Sequence, residues 1–189
     1  FALTCDARKG TAVKKIFSIK NRDYSKTLPL LCASFQEAQK YAFFSNEAEI
    51  LAKRFWPGKL TMILPFRTND ESELIAKKYC VKTNDNNEEI AIRVPSSSDI
   101  SDILLQISFP LIGTSANISN MKEEKNIKEV LKQISETHIS DSYTIYFSDE
   151  LLTLLPDNSQ SSTIFHVNQK RILREGVIKK KDIDNALLK

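Results

Sequence analysis

The sequence predicts an α+β (mixed α/β) fold, a mixed sheet with helices packed on it. Two observations lead there. Short apolar runs of strand length intermingle with segments whose apolar residues recur at helical spacing, without the strict alternation that a doubly wound parallel sheet requires. In addition, 41% of the 189 residues are hydrophobic and only 4 are Gly. Such a chain is globular and long enough to enclose a core as a single domain over 1–189.

The elements follow in order. Thr11 is placed to cap a helix whose apolar positions are Ala12, Val13, Ile16, Phe17 and Ile19, with Lys20 and Arg22 at its exit. Residues 28–32 form an apolar run suited to a buried strand, and Ser34 with Glu37 makes a capping-box pattern that opens a second helix. A third helix is expected over 46–55, stopped by Pro57 and Gly58. Residues 60–64, ended by Pro65, read as a strand, as do 90–94 and 110–113. Ile100, Ile103, Leu104 and Ile107 mark an amphipathic helix, and Ile127, Val130, Leu131 and Ile134 another. Strands at 143–147, 163–167 and 171–173 complete the sheet, and 179–189 is a tail or short helix. The polar stretches 68–72, 83–89, 119–125 and 157–161 read as exposed loops.

The 27 basic residues exceed the 24 acidic ones by only 3 and are scattered, which permits an anionic partner without demanding one. Cys5, Cys32 and Cys80 are far apart, and His138 and His166 have no companions at ligand spacing. Reduced intracellular thiols are therefore expected, with no structural zinc and no disulfide framework. No run reaches the roughly 18 apolar residues of a membrane span, so a cytoplasmic protein without membrane contact is expected. The first residue is Phe1 rather than Met, and the chain reads as a fragment lacking its natural start.

Separated polar clusters fall at strand ends and helix ends: Lys20 and Arg22; Arg93 before Pro95; Ser115 and Asn117 after Gly113; Ser162 and Thr163; and Arg174 before Gly176. No nucleophile or acid/base pair stands out among them. Dispersed cations with hydroxyl and amide groups suit a polyanion, because guanidinium groups grip phosphate or carboxylate oxygens bidentately and Lys adds a movable charge. Each cluster also has an ordinary reading. Lys20 and Arg22 complement a helix dipole, Arg93 makes a structural ion pair, and Ser115 and Asn117 form a plain turn. Ser162 and Thr163 simply enter a strand, and Arg174 is a turn cation. Trp56, Pro57, Leu60 and Thr61 are assigned to packing and turn geometry.

These clusters and their surroundings resemble the YrdC-like family, also called TsaC, whose members make threonylcarbamoyl-AMP for tRNA modification. The resemblance is carried by Phe1-Ala-Leu-Thr-Cys-Asp-Ala7, Ile16-Phe-x-Ile-Lys20-x-Arg22, Phe55-Trp-Pro-Gly-Lys-Leu-Thr61, Ile92-Arg-Val-Pro95, Pro110-Leu-Ile-Gly-Thr-Ser-Ala-Asn117, Ser162-Thr163 and Ile172-Leu-Arg-Glu-Gly-Val-Ile178. It implies a twisted, largely mixed sheet around a concave, positively lined cavity. It further implies that Lys20, Arg22 and Arg174 contact ATP phosphates and Asn117 the nucleotide, with Gly113 letting a ligand approach the backbone. Lys20 and Arg22 would also act in catalysis. Arg93 would hold the carboxylate of L-threonine, with Ser115 and Ser162 as further threonine contacts. Implied too are bicarbonate or carbon dioxide as co-substrate, Mg2+ bound with ATP, and a downstream tRNA threonylcarbamoyl transferase.

The chain departs from the family at Asp23, Thr27 and Glu175, where relatives carry Pro, and at Phe1, where they carry Tyr. Asp23 and Thr27 predict a less rigid loop, and Glu175 a carboxylate near the Arg174 anion site. Two rivals remain. One is a non-catalytic RNA-binding module with direct tRNA contact. Against it, Phe43, Phe44, Phe55 and Trp56 fall at core-like positions instead of interleaving with the cations. The other is the carbamoyl-adenylate-forming domain of a hydrogenase-maturation protein, whose accompanying cysteine-rich segments have no counterpart in this sequence.

Overall fold

The computed structural model describes residues 1–73, 75–84, 87–96, 98–124, 126–135 and 161–188. Its elements are β1 (Ala2–Asp6), α1 (Gly10–Ile19), β2 (Leu30–Leu31), α2 (Phe35–Ala38), α3 (Asn46–Phe55), β3 (Leu60–Pro65), α4 (Asp70–Glu73) and α5 (Lys77–Cys80). They continue as β4 (Val81–Asn84), β5 (Asn87–Arg93), α6 (Ser98–Gln106), β6 (Leu111–Ser115), α7 (Ile127–Ser135), β7 (Thr163–His166), β8 (Arg171–Arg174) and α8 (Lys180–Leu187). One sheet of mixed hand runs β1-β6-β2-β5-β3-β7-β8, with β4 also paired to β5. The β2–β5 and β3–β7 pairs are parallel and the others antiparallel. The mixed sheet expected from the sequence is what forms.

Alternation along the strands gives the sheet two unlike faces. Leu30, Ile112, Ile90, Ile92, Leu60, Met62 and Phe165 join one core cluster with Val13, Ile16 and Phe17 of α1, Leu51 and Ala52 of α3 and Ile183 of α8. The intervening residues line a cavity on the other face, among them Gly113 and Ser115 of β6, Ala91 and Arg93 of β5, and Thr61 and Ile63 of β3. At one end of that face α6 is seated by Leu31, Leu104 and Leu111. Near the start of the sheet, α7 is seated by Ile19, Ala116, Val130 and Ile134.

Several expectations are corrected. Thr11 does not cap α1: the helix starts two residues earlier than that cap would place it, at Gly10, and its N-cap is Lys9, with no side-chain bond. The strand expected at 28–32 shortens to Leu30–Leu31 because Pro29 has no N–H to donate and Leu28 N–H turns to Tyr79 O. Within the stretch 83–89, residues 83–84 and 87–89 are not loop but strand, paired antiparallel between β4 and β5 in register from Val81 opposite Ile90. Within 68–72, α4 begins, and Asn69 and Ser72 hold it reciprocally: Asn69 N–H donates to Ser72 Oγ and Ser72 N–H to Asn69 Oδ1, both at 2.8 Å. The strand expected at 143–147 lies outside the described residues. At Ser34 the N-cap half of the expected capping box forms, its Oγ accepting Glu37 N–H at 3.1 Å, while the Glu37 carboxylate accepts the N–H of Ala33, one residue before the cap.

The last strand pair is fastened by Thr163, which is fully buried. Its Oγ1 donates to Ile178 O at 2.7 Å and accepts Gly176 N–H at 2.9 Å and Ile178 N–H at 3.1 Å. Gly176 is required there, since a Cβ would stand 2.1 Å from Ser161 O. Thr163→Val keeps the shape but leaves two buried N–H groups unpaired. It is expected to cost about 3 kcal/mol of stability, read in urea unfolding as a lower midpoint at unchanged slope.

Candidate active site

The cavity on the open face of the sheet measures about 660 Å³. Lys20, Arg22, Lys59, Arg93 and Arg174 line it, and Glu123 is the single carboxylate among its described lining residues. Its floor is apolar: Leu31, Ala91, Ile63 and Ile164. Segments far apart in sequence thus bring every expected site residue (Lys20, Arg22, Arg93, Gly113, Ser115, Asn117, Ser162 and Arg174) to one concavity.

Lys20 follows the last turn of α1 and is only 2% exposed. Asn21, at φ 45°, turns the chain there, a conformation Asn tolerates well. An ammonium buried this deeply must fill its three donors. It donates to Ser115 O, to Asn117 O at 2.7 Å and to Asn117 Oδ1 at 3.0 Å. Ser115 Oγ donates to the same Oδ1 at 2.6 Å, and Asn117 Nδ2 donates to Met121 O at 2.6 Å. Lys20 is therefore not the movable charge expected from the sequence; the network holds it. Burial, with help from the Arg22 charge, pushes its pKa down to about 8, while Glu123 acts the other way.

The guanidinium groups are held by backbone carbonyls. Arg22 Nε donates to Lys26 O at 2.8 Å and Nη2 to Thr27 O at 3.0 Å. Asp23 folds that loop: its Oδ1 accepts Ser25 N–H at 2.8 Å and its carbonyl accepts Lys26 N–H at 3.1 Å. The expected loss of rigidity is thus offset by an Asx turn. Arg93 Nε donates to Gly58 O at 2.8 Å. Arg174 donates to Ser162 O from Nε at 3.1 Å and from Nη2 at 2.8 Å, and from Nη2 to Ser162 Oγ at 3.1 Å. Burial first, and then repulsion from Arg174, lowers the pKa of both Arg22 and Arg93. The cations repel one another across the cavity, and a bound polyanion relieves that repulsion.

Three readings change. Gly113 lines the cavity, but its missing side chain makes room for Leu31: a Cβ would meet Leu31 Cδ1 at 2.2 Å. Glu175 turns to Lys179, 3.2 Å away, and does not line the cavity. Phe43 is 51% exposed rather than core-like, whereas Trp56 is buried and Phe44 and Phe55 pack against the core. None of these four aromatics lines the cavity. Sequence reasoning missed Lys59, Glu123 and the cavity position of Thr61. A hydroxyl inside the apolar run of β3, next but one to Lys59, was the available signal. Burial pushes the Cys5 and Cys80 thiols up to about 12 and Cys32 well above its ordinary value, and none of the three lines the cavity. Thiolate nucleophiles are therefore absent from the described lining. No described helix is long and apolar enough to cross a membrane.

A family model described as telomere recombination, Sua5/YciO/YrdC, matches residues 1–176. The chain is 31% identical over 182 residues to the threonylcarbamoyl-AMP synthase of Psychromonas ingrahamii, covering 92% of this chain and 84% of that protein. It superposes on Sua5 of P. abyssi complexed with L-threonine with a TM-score of 0.73 and 26% identity, over 98% of this chain and 50% of that one. This chain thus spans about half the length of that Sua5. It also matches E. coli YciO with a TM-score of 0.70 over 96% of this chain and 81% of that one; at 22% identity that likeness speaks for the fold.

The lowered Lys20 value has a definite pH consequence. The folded chain sheds this proton near pH 8, whereas the unfolded chain keeps it to the ordinary 10.5. The cost of burying the charge is full below pH 8 and is relieved as pH rises toward 10.5, so this group's contribution to stability grows over that window. Anion binding runs the opposite way, because the cation disappears. ATP affinity is expected to fall between pH 7 and pH 9 in calorimetric titrations, and the fall to flatten in Lys20→Met.

Proposed function

This chain belongs to the Sua5/YciO/YrdC family, and on that premise we propose that it makes L-threonylcarbamoyladenylate from L-threonine, bicarbonate or carbon dioxide, and ATP, releasing pyrophosphate. The observation that carries this reading is the convergence of Lys20, Arg22, Arg93 and Arg174 on one cavity whose described lining holds no thiol and a single carboxylate. Such a site is suited to holding two anions together rather than to covalent catalysis.

In this reading Arg93 receives the threonine carboxylate, and Ser115 and Ser162 face the rest of the amino acid. The amine adds to carbon dioxide, forming the N–C bond of a carbamate and losing a proton. A carbamate oxygen then attacks the α-phosphorus of ATP, and the bond to pyrophosphate breaks. Arg22 and Arg174 counter the charge on the phosphates, and the nucleotide lies along Gly113 and Asn117. Lys20 contributes its charge while bracing the turn that carries Ser115 and Asn117. Glu123, the one carboxylate among the described lining residues, would be the protein's oxygen ligand for a magnesium ion brought in with the triphosphate, and such an ion would neutralise phosphate charge. The product's mixed anhydride is a donor of the threonylcarbamoyl group to a transferase acting on tRNA, and the reaction belongs in the cytoplasm.

Pyrophosphate release is expected only when L-threonine and bicarbonate are both supplied, and without RNA. Release that is indifferent to either substrate would refute the proposal. Arg22→Ala and Arg174→Ala, with folding checked by circular dichroism, are each expected to weaken ATP binding by about 1.5 to 3 kcal/mol.

A further inference from the structure

Thr61 is a polar residue in an otherwise apolar strand, only 2% exposed yet on the cavity side of β3. A buried hydroxyl there needs a partner. Its Oγ1 lies 3.1 Å from Ser162 Oγ, brought within reach because β3 and β7 pair in parallel with Leu60 opposite Thr163. Ser162 Oγ in turn accepts from Arg174 Nη2 at 3.1 Å, and Ser162 O takes two further bonds from the same guanidinium. Three residues from three strand ends thus share one hydroxyl.

A hydroxyl has one hydrogen and two lone pairs, which limits how the trio is wired. Arg174 is donor only, so it occupies one lone pair of Ser162 Oγ. If Thr61 donates, it occupies the other, and the Ser162 hydrogen must leave the trio. Ser162 is 9% exposed against 2% for Thr61, so Ser162 is the hydroxyl that opens on the cavity. We propose that Thr61 is a positioning residue for the amino-acid subsite: it donates to Ser162, completes that hydroxyl's acceptor set together with Arg174, and aims the single remaining hydrogen at an anionic oxygen of the amino-acid substrate. Thr61 itself does not touch the substrate. The same wiring couples the subsites, since the guanidinium that faces the phosphates also fixes the hydroxyl that faces the amino acid.

This inference rests on the synthase reading, and its test separates the two. Wild type, Thr61→Val and Thr61→Ser are compared in pyrophosphate release and in calorimetric titration of L-threonine in the presence of a non-hydrolysable ATP analogue. Thr61→Val keeps the shape but cannot donate, so the Ser162 hydrogen is free to turn inward. It is expected to raise KM and Kd for L-threonine about fivefold, the size of one ordinary hydrogen bond, with KM for ATP unchanged. Thr61→Ser is expected to restore the wild-type values, a rescue that a packing role would not give, because Ser leaves the methyl group's space empty. The inference is overturned by a Thr61→Val protein that binds L-threonine like wild type. It is equally overturned by a Thr61→Ser protein as impaired as the Val variant, or by KM rising alike for both substrates. A wild-type protein that releases no pyrophosphate and binds no L-threonine brings down the synthase reading and this inference with it. A wild-type protein that does both, with Thr61→Val unshifted, brings down the inference alone.

Discussion

The Lys20 ammonium is the constraint around which the site is organised. A positive charge at 2% exposure persists only if the surrounding chain supplies oxygens for each of its hydrogens. Those oxygens come from Ser115, the last residue of β6, and Asn117 just past it, almost a hundred residues away. The bond network therefore ties the exit of α1 to the end of β6, and Ser119 N–H adds to it by donating to Lys20 O at 2.7 Å. Loss of the Lys20 side chain would strand three acceptors and release the turn they shape, so geometry and charge are held by the same atoms.

The remaining cations are fixed by a different rule. Arg22, Arg93 and Arg174 each spend part of a guanidinium on backbone carbonyls and leave the rest toward the cavity. No described carboxylate pairs with any of them, and the depressed pKa of Arg22 and of Arg93 records their burial first and then repulsion from Arg174. Positive charge accumulates where anions are to be held, and the stabilisation is supplied by the carbonyl bonds and by the core on the other face of the sheet.

How much of this was legible follows from the range over which each signal acts. Period-two and helical patterns are local, so α3, α6, α7 and most strands were foreseen close to their observed bounds. The β4–β5 hairpin was missed because its Asn- and Glu-rich sequence carries the composition of a loop; the strand character comes from antiparallel pairing of β4 with the first half of β5, residues 87–90, of which only Ile90 is buried. The site cations were legible as residues but not as geometry. Nothing near Lys20 in sequence says that Asn117 will occupy its hydrogens, and nothing near Gly113 says that Leu31 will fill the space its side chain leaves. Thr61 was read as packing because its meaning lies in a hydroxyl contributed by a strand a hundred residues on.

The apolar floor formed by Leu31, Ala91, Ile63 and Ile164 has a bearing on the lifetime of the proposed intermediate. A carbamate loses carbon dioxide once its nitrogen acquires a proton, and aliphatic side chains have none to give. An intermediate resting on that floor would meet its donors beside it, at Arg93 and Ser162, which would grip its oxygens. Decarboxylation would be slowed by the absence of an acid beneath the nitrogen, so this floor, whose Leu31 also seats α6, would act as a preservative for a short-lived reactant.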